Sequence, residues 1–475
     1  MKKSASLLFA LALVPCLLFS QTYTTTTVIT PLAYPVAFTF APDGSIFLTL
    51  KGGVIRKYDA NFGLLGTFYN LSDSTFNDFE RGLLGIEVDP NYATNGYVYV
   101  YYNHRCCNPS PTGAQFIRVV RFTDVSNVGT NPTIILSVPV SNSIPGNHVG
   151  GNVRFRPSEP NQIYVSIGDI ATPANSQLLT NPFGKILRIN KDGTIPTTNP
   201  FYDDGNPATG NDDRIWSYGL RNPFDFCFST FNDSLYITEN GAVTYDEVNY
   251  GMRGKNYGWQ VCEGNFLYQS ASACNNPAYI NPMAVWGAPL PAVTGIVHYT
   301  HSLMSAFTNH LLVADNDYGR VYDLTLGNSP YFDVVTNLVM WMDLTTTGGL
   351  TTLKQGPEGC LYAMKGGYTT TGNIMRVCPT GMDVPTPATS NLSQAVLFPN
   401  PSNGASLLKF WMEKVGEVSI SVTDLAGREV GGIPTGHFSN GMHEVQLPGN
   451  LPPGNYLVRI NSADGFITLK WTLIP

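Results

Sequence analysis

The sequence predicts an almost entirely β protein, a six-bladed β-propeller followed by a small immunoglobulin-like β-sandwich. Aromatic residues make up 12% of the chain and glycines number 46, which is typical of many short strands joined by tight turns. No long segment places apolar residues at helical spacing. Instead, a turn rich in Pro, Asp, Asn or Gly recurs, followed by a short alternating apolar run. Its six copies span residues 41–50, 89–101, 156–169, 230–241, 308–317 and 356–365.

The spacing of these copies predicts the architecture of residues 21–378. Roughly 50 to 80 residues separate successive copies, which is the length of a four-stranded blade with variable loops. A flat sheet with so many strands would expose long edges, whereas blades arranged in a closed ring protect them. We therefore expect six blades around a central channel.

The amino terminus has the order of charge, apolar core and cleavage site that is typical of a secretory signal. Lys2 and Lys3 precede an apolar run over residues 7–19, and the small Ser20 follows it. Residues 1–20 are therefore predicted to be a cleavable signal peptide. No later stretch is long and apolar enough to span a bilayer. The formal net charge of −7, with only 13% charged residues, argues against a nucleic-acid partner.

The cysteines of an exported chain are free to form disulfides. The predicted bridges, each closing a short segment, are Cys262–Cys274 and Cys360–Cys378. The adjacent Cys106 and Cys107 form either a vicinal bridge or bonds to two separate partners. Cys227 lies in an apolar stretch and is predicted to be a buried thiol.

The carboxyl-terminal part begins with a change in composition. Residues 379–393 are rich in Pro, Thr and Ser and lack alternation, as expected of a linker. Residues 394–475 return to short alternating strands, and about 80 residues of this kind suit a seven-stranded sandwich. The predicted strands are 407–412, 418–423, 443–447, 456–460 and 466–471.

Short motifs in this second domain indicate a sorting role. They are Phe398–Pro401, Asp424 with Gly427–Glu429, and Leu451 with Pro453, Gly454, Tyr456 and Val458. Over its full length the domain resembles the type A C-terminal sorting domain of type IX secretion substrates. The resemblance implies export across the outer membrane by the type IX machinery, removal of the tail, and release or surface attachment. The alternative is an accessory carbohydrate-binding sandwich, because a fold alone does not determine function.

Several propeller segments are more polar than the packing of blades requires. They are residues 80–85, 147–151, 184–193, 219–223, 239–241 and 246–249. Together with residues 256–259, and in this order and spacing, they resemble the glucose/sorbosone dehydrogenase family over about residues 38–377. Members of that family oxidise aldoses with pyrroloquinoline quinone on a six-bladed propeller. The resemblance therefore implies this fold, a small sugar substrate and this cofactor.

The resemblance implies a catalytic role for His148. It matches the family's base, which takes the proton of the anomeric hydroxyl, and an imidazole suits this task because its pKa lies near neutrality. Asp169 matches the carboxylate that orients this histidine. The alternative for Asp169 is a turn-capping residue at the end of a strand.

The resemblance also implies residues that meet the cofactor. Arg221 and Asn222 match the pair at the cofactor or its reacting oxygen, where a fixed cation would stabilise developing charge. The alternative for Arg221 is an arginine that ties neighbouring loops to carboxylates. Glu80 matches a cofactor-binding position where some relatives carry glutamine, and its charge could change which substrate is accepted.

Calcium is the metal that the resemblance implies, and carboxylates and carbonyls are its usual ligands. The carbonyls of Gly241 and Ala242 would hold one calcium against the quinone. Glu247 and the carbonyl of Tyr257 would hold a second, structural calcium. The alternative for Glu247 and its neighbour Asp246 is a solvated acidic turn.

The chain departs from the family where a lysine and two arginines clamp the carboxylates of the quinone. Those positions are Asp317, Gly349 and Thr351 here. Loss of these cations removes strong charge-assisted contacts. Arg320 and Lys354 are close in sequence and are candidates to replace them. Ala242 also stands where relatives have a proline.

The predicted function is that of a secreted, calcium-containing quinoprotein which oxidises the anomeric carbon of an aldose. The missing clamp favours an alternative, a non-catalytic calcium-binding propeller for binding or adhesion at the cell surface. A calcium-dependent lactonase or esterase is a third hypothesis. It would need a ring of inward carboxylates and amides around a central metal, which the sequence does not place.

Overall fold

The computed structural model describes residues 21–105, 113–142, 144–367, 371–380, 392–412, 414–424, 428–462 and 465–474. The predicted signal peptide, together with Cys106 and Cys107, lies outside the described residues. The chain divides into two units, Met1–Thr380 and Gly381–Pro475. Within the described ranges, no helix is long and apolar enough to cross a membrane.

The first unit is built from antiparallel sheets, and in its described part six of them have four strands. Strand β1 (Tyr23–Ala33) belongs to the last of these sheets. Sheet 1 contains β2 (Pro35–Phe40), β3 (Ile46–Leu50), β4 (Val54–Tyr58) and β5 (Leu64–Asn70). Sheet 2 contains β6 (Leu83–Val88), β7 (Tyr97–His104), β8 (Gln115–Val125) and β9 (Val128–Val140). Sheet 3 contains β10 (Val153–Arg156), β11 (Glu159–Ile167), β12 (Lys185–Asn190) and β13 (Ile215–Tyr218).

The remaining sheets follow the same order. Sheet 4 contains β14 (Pro223–Phe228), β15 (Leu235–Glu239) and β16 (Tyr245–Gly251); the separate hairpin β17 (Cys262–Glu263) and β18 (Phe266–Leu267) precedes its last strand, β19 (Ala284–Gly287). Sheet 5 contains β20 (Val293–Tyr299), β21 (His310–Asp315), β22 (Arg320–Gly327) and β23 (Val334–Asp343). Sheet 6 contains β24 (Leu350–Gln355), β25 (Leu361–Lys365) and β26 (Thr371–Pro379), with β1 at its edge. The described helical segments are α1 (Tyr92–Asn95) and the 3-10 turns Ser72–Ser74, Pro173–Gln177 and Ser305–Phe307.

The first strands of the six sheets form a closed ring. Strands β2, β6, β10, β14, β20 and β24 each contact the next, and β24 contacts β2. Strand β1 pairs with β26, so that Tyr23 lies opposite Pro379 and Ala33 opposite Thr371. This pairing of the beginning of the unit with its end closes the last sheet, which leaves fewer exposed strand edges. The pattern of apolar residues did not predict it.

Each predicted copy of the recurring pattern overlaps the second strand of one sheet. These strands are β3, β7, β11, β15, β21 and β25. Strand β3 illustrates why the pattern recurs, since all of its residues, Ile46–Leu50, are buried between neighbouring strands. The turn before it is held by Asp43, whose Oδ1 accepts hydrogen bonds from the backbone N–H and the hydroxyl of Ser45 at 3.0 and 2.6 Å.

Four charged side chains meet inside the ring. Arg154 Nη2 lies 2.6 Å from Asp225 Oδ1, and Lys354 Nζ lies 3.3 Å from Glu87 Oε2. All four residues stand on first strands. Burial alone would raise the pKa of Glu87, but Lys354 and Arg154 together hold it below its usual value. The charges of the cluster balance, which is the condition for burying ions inside a protein.

Both predicted disulfides are confirmed, because Cys262 is bonded to Cys274 and Cys360 to Cys378. The second bridge joins the segment before β25 to β26, within sheet 6. Cys227 lies in β14 and is a buried free thiol, as predicted. Burial raises its pKa to about 12, so this thiol is unreactive at neutral pH.

The described part of the second unit contains seven strands in two sheets. The strands are β27 (Leu392–Phe398), β28 (Leu407–Met412), β29 (Gly416–Asp424), β30 (Glu429–Phe438), β31 (Gly441–Gln446), β32 (Gly454–Ser462) and β33 (Gly465–Leu473). One sheet has the order β27-β28-β31 and the other β30-β29-β32-β33. Both contribute to one apolar core around the fully buried Trp471, whose indole N–H donates to Ser406 Oγ at 2.8 Å.

The ends of the predicted linker lie in strands. Pro379 pairs with Tyr23 as the last residue of β26, and Leu392 and Ser393 begin β27 opposite Met412 and Trp411. The composition of residues 379–393, rich in Pro, Thr and Ser and without alternation, predicts a linker that includes these three residues, and at its two ends that prediction is wrong. Pairing with a partner strand outweighs that local preference.

Candidate active site

The predicted site residues lie in loops at one end of the ring. In each sheet the first and second strands are antiparallel, so the start of the first and the end of the second meet at the same end. Glu80, His148 and Asn222 precede first strands, whereas Asp169 and Gly241 follow second strands. The topology therefore collects residues that are far apart in sequence.

A central cavity of about 300 Å³ lies at this end. Each of the six sheets contributes a lining residue from, or next to, its first strand: Val36, Leu84, Asn152, Phe224, Thr294 and Thr351. Among the described residues, the lining also includes Glu80, Asn222 and Asn240 but neither His148 nor Arg221. These two residues stand beside the cavity, each in a loop that contributes to its wall.

His148 and Asp169 form a hydrogen-bonded pair. His148 Nδ1 lies 2.7 Å from Asp169 Oδ1, with the imidazole 16% exposed and the carboxylate fully buried. Asp169 Oδ2 accepts the indole N–H of Trp259 at 2.9 Å. A carboxylate at Nδ1 favours a proton there and leaves Nε2 as the nitrogen that accepts one. The Asp169 side chain thus orients a histidine and does not cap a turn.

The backbone of the histidine loop is held in an uncommon conformation. His148 has a φ of +55°, which non-glycine residues rarely adopt. Its carbonyl accepts the N–H of Ile170 at 3.0 Å. A Cβ at Gly168 would collide with this carbonyl oxygen, so only glycine fits beside the loop.

Glu80 links the loops around the histidine. Its Oε2 accepts the backbone N–H of His148 at 2.6 Å and the amide of Asn222 at 3.4 Å. Its Oε1 accepts the amide of Asn147 at 3.2 Å. Asn222 Oδ1 in turn accepts the N–H of Gly150 at 3.1 Å. A glutamine has only one acceptor oxygen and could not accept all of these hydrogen bonds, so the carboxylate suits this position.

Arg221 bridges the aspartate and the next sheet. Its carbonyl accepts the N–H of Asp169 at 2.7 Å, and its backbone N–H donates to Glu239. Its guanidinium donates to the carbonyl of Asn240 at 2.9 Å and lies 5.6 Å from the centre of the Trp259 ring. The side chain therefore ties loops together through a carbonyl and an aromatic ring, where the alternative from sequence had expected carboxylates.

Glu263, which the sequence analysis did not single out, binds the backbone of the Gly241–Ala242 loop. Oε1 of Glu263 accepts the backbone N–H groups of residues 242, 243 and 244 at 2.7, 2.9 and 3.0 Å and that of Tyr245 at 3.3 Å. Asp246 Oδ1 accepts the N–H of Gly241 at 2.9 Å. The only signal for Glu263 was its position next to Cys262, whose disulfide fixes the hairpin.

A group of carboxylates is buried beneath this loop. Glu239, Asp246, Glu247 and Glu263 are each less than a tenth exposed. Burial raises the pKa of Asp246 to about 6 and that of Glu247 to about 7. Burial also raises the pKa of Glu239 well above its usual value. Oε2 of Glu239 and Oε2 of Glu263 are buried without hydrogen-bond partners. The solvated acidic turn is therefore the wrong interpretation of Asp246 and Glu247.

Tyr257 lies close to this group. Its hydroxyl donates to the carbonyl of Tyr250 at 2.7 Å and accepts the N–H of Met252 at 2.8 Å. Burial, with a smaller effect from the nearby Glu239, raises the pKa of this phenol well above its usual value. These bonds anchor the segment that carries the predicted carbonyl ligand.

Arg320 and Lys354, the candidates to replace the clamp, bind carboxylates outside the predicted quinone site. Arg320 Nε lies 3.3 Å from Asp343 on the surface, and Lys354 pairs with Glu87 inside the ring. Asp317 and Thr351 line the cavity, and burial raises the pKa of Asp317. The cation in the described lining is Lys51, whose Nζ donates to the carbonyl of Asn77 at 2.8 Å.

The chain has a ring of sheets, a central cavity and a histidine–aspartate pair beside that cavity. These features define the class of propeller-like proteins whose candidate site lies at one end of a central channel. Residues 32–376 match the family model for Glucose / Sorbosone dehydrogenase. The chain belongs to this family. Residues 396–473 match the model for the Secretion system C-terminal sorting domain.

Curated relatives extend over most of the first unit. The chain is 25% identical to an aldose sugar dehydrogenase of Escherichia coli, over 73% of this chain and 91% of that protein. It is 26% identical to quinoprotein glucose dehydrogenase B of Acinetobacter calcoaceticus, over 54% and 57%. An uncharacterized protein of Synechocystis is 30% identical, over 57% of this chain and 68% of the relative.

Solved structures share the fold. The apo form of the soluble aldose sugar dehydrogenase of Escherichia coli superposes with a TM-score of 0.65 at 22% identity, covering 75% of this chain and all of that chain. The PQQ-bound form of aldose sugar dehydrogenase from Streptomyces coelicolor superposes with a TM-score of 0.59 at 22% identity, covering 75% and 99%.

Proposed function

We propose that the first unit oxidises the anomeric carbon of an aldose with pyrroloquinoline quinone as the hydride acceptor. The observation that carries this proposal is the bond of 2.7 Å between His148 Nδ1 and the fully buried Asp169, beside the central cavity. Membership of the family supports the same reaction class. The quinone, when bound, supplies the two-electron acceptor that no side chain can provide.

In this proposal the protein's own residues handle the proton. Asp169 keeps the Nδ1 proton in place, and Nε2 of His148 takes the proton of the anomeric hydroxyl as hydride leaves the carbon. Glu80 fixes the histidine backbone through its bond to the N–H. Arg221 would stabilise negative charge on the reduced cofactor, and Asn222 would orient it.

Calcium fits the loop at residues 241–242. Glu263 and Asp246 bind backbone N–H groups of residues 241–245, which holds this loop in one conformation. Oε2 of Glu239 and Oε2 of Glu263 are buried without partners near the buried Glu247, and a divalent cation would compensate such charge. We infer that the carbonyls of Gly241 and Ala242 hold the ion at the cofactor, with Glu247 and the Tyr257 carbonyl at the structural ion.

The quinone fits the histidine side of the site better than the opposite side. Asp317 and Thr351 line the cavity where relatives place cations, so charge-assisted bonds to carboxylates are lost there. Lys51 is the cation left in the described lining, and Asn152, Asn240 and Asn316 are neutral amides. We expect weaker quinone binding than a full clamp would provide, by roughly 1.5–3 kcal/mol for each charged bond lost.

The absence of the clamping cations at Asp317 and Thr351 favours a second candidate function. A cavity with carboxylates at Glu80 and Asp317 and one lysine could serve a propeller that binds a neutral sugar at the cell surface without oxidising it. Calcium beneath the loop would then have a structural role only. Such a protein would bind sugar with no need of a quinone.

We further propose that each four-stranded sheet is one blade, that the second unit is an immunoglobulin-like sandwich, and that this sandwich directs export through the type IX machinery to the cell surface or beyond. The match of residues 396–473 to the sorting-domain model supports this destination. Deleting residues 394–475 should leave the propeller folded but retained in the periplasm of a type IX secreting host. Surface delivery of the truncated chain would contradict the sorting role.

The test of the enzymatic proposal uses purified apoprotein titrated with pyrroloquinoline quinone and calcium and followed by absorbance. Saturable, calcium-dependent binding, with aldose-dependent reduction of a dye by the reconstituted protein, is the expected result. Sugar binding without quinone binding would favour the binding propeller.

A further inference from the structure

A second group of carboxylates lies away from the site, in the loop of residues 199–214 between β12 and β13. One carboxylate oxygen from each of Asp203, Asp204 and Asp213 lies within 4.8 Å of the other two. Asp203 and Asp204 are exposed, whereas Asp213 is fully buried. Three negative charges therefore converge where the loop meets the body of sheet 3.

The buried member of the group is only half satisfied. Oδ1 of Asp213 accepts the backbone N–H of Asp203 at 2.5 Å, but its Oδ2 is buried without a hydrogen-bond partner. Arg214 does not compensate it, because its guanidinium donates to both oxygens of Asp212 at 2.7 and 2.6 Å. A buried carboxylate oxygen without a donor is costly unless a cation meets it.

The loop holds the two exposed carboxylates toward the same point. Asp203 Oδ2 accepts the N–H of Asn211 at 2.8 Å. Asp204 accepts the hydroxyl of Thr209 at 2.6 Å and the N–H of Asn206 at 2.8 Å. Carboxylates fixed in this way need little reorganisation to bind an ion.

We propose that Asp203, Asp204 and Asp213 form a calcium site separate from the cofactor site. Calcium binds oxygen ligands at about 2.4 Å, so two ligands on opposite sides of the ion are roughly 4.8 Å apart, and the three oxygens fit within one coordination shell. Magnesium demands a near-ideal octahedron at about 2.1 Å and is usually held by only one or two carboxylates, so a set of three carboxylates favours calcium. The ligand set is entirely oxygen, which also argues against zinc.

The position of this site suggests what it does. Asp213 lies two residues before β13, and β13 leads directly to the loop that carries Arg221 and Asn222. An ion held by Asp213 and by the 203–204 segment joins the long loop to the start of that strand. Calcium would thereby stabilise sheet 3 and its site loop from the side remote from the cavity.

The test is a calcium count on the mature chain by equilibrium dialysis at about 1 mM calcium, the range in which extracellular calcium modules bind. Asp213→Asn should bind one calcium fewer than wild type. Asp192→Asn is the matched control, because Asp192 caps a similar exposed turn through Thr194 and should bind as wild type does. Repeating both in a Glu247→Gln background separates this site from calcium beneath the 241–242 loop, since the loss from Asp213→Asn must persist there.

Asp204→Asn provides a second variant on an exposed residue, in case the buried substitution unfolds the chain. It should weaken calcium binding at this site roughly tenfold or more while circular dichroism stays unchanged, because the number of charged ligands sets the affinity of such sites. Equal calcium content and affinity in wild type and Asp204→Asn would overturn the proposal. Magnesium binding as tight as calcium would overturn the choice of ion.

Discussion

Replacing Asp169 by asparagine should reverse the hydrogen-bonding direction at His148, the proposed base. Asp169 Oδ2 accepts the indole N–H of Trp259 at 2.9 Å, and an indole can only donate. The amide oxygen of the asparagine must therefore face Trp259, and its NH₂ group must face His148 Nδ1, where the carboxylate now lies at 2.7 Å. The imidazole would then carry its proton on Nε2 and could no longer accept one from a sugar.

The expected loss follows from the role of the base. A positioned general base contributes roughly 100- to 10,000-fold to a rate, and Asp169→Asn should remove most of it. The charge-assisted bond to the imidazolium, worth roughly 1.5–3 kcal/mol, is lost as well. His148→Ala should cause a similar loss, and the double variant should be no slower than either single one because both act through the same proton transfer.

The assay is aldose-dependent dye reduction by protein reconstituted with quinone and calcium. Quinone binding followed by absorbance, and the melting temperature, should stay close to wild type in both single variants. Trp259→Phe offers a rescue, because without the indole donor the asparagine is free to turn its oxygen toward His148. Asp169→Asn should therefore cost less in the Trp259→Phe background than in wild type. Retention of more than about a tenth of the rate by Asp169→Asn, or an inactive reconstituted wild type, would refute the reasoning.

Four further outcomes are expected. Gly168→Ala should displace the His148 carbonyl and lower the rate while Asp169 stays in place, which crystallography and turnover would check. Lys51→Met should weaken quinone binding roughly 10- to 100-fold, seen by absorbance titration, and unchanged affinity would exclude it as a carboxylate ligand. Burial lowers the pKa of His298 to about 4. The neutral imidazole therefore contributes roughly 3 kcal/mol to the free energy of unfolding above pH 6.5, and this contribution is lost as pH falls toward 4. His298→Phe should flatten that part of the pH profile of the free energy of unfolding, measured by urea denaturation. Limited proteolysis should cut first within residues 379–393 and leave two folded fragments; first cuts inside the propeller would contradict the boundary.

The regular features of this chain were predictable because they are local. Each copy of the turn-and-strand pattern fell on the second strand of a sheet, since alternation and turn residues depend only on neighbours in sequence. The two disulfides close short segments, and pairing over such distances needs little knowledge of the fold. The order of the polar motifs pointed to the family that the match over residues 32–376 establishes.

The site residues predicted from the sequence lie in loops at one end of the ring, because antiparallel sheets bring the start of the first strand and the end of the second to one end. The sequence did not place their contacts. Glu80 was expected to meet the cofactor, yet its carboxylate also binds the His148 backbone. Glu263 and Lys51 were missed, since each acts through a neighbour that is distant in sequence.

What the sequence by itself determined was the all-β class, the two disulfides and the family. Only the tertiary structure decided that Lys354 and Arg320 are engaged elsewhere, and that β1 closes the last sheet. It alone brought Asp203 and Asp204 against Asp213. The physical reason is range: strand patterns and turns are set by adjacent residues, whereas the pairing of charges depends on which loops the ring brings together.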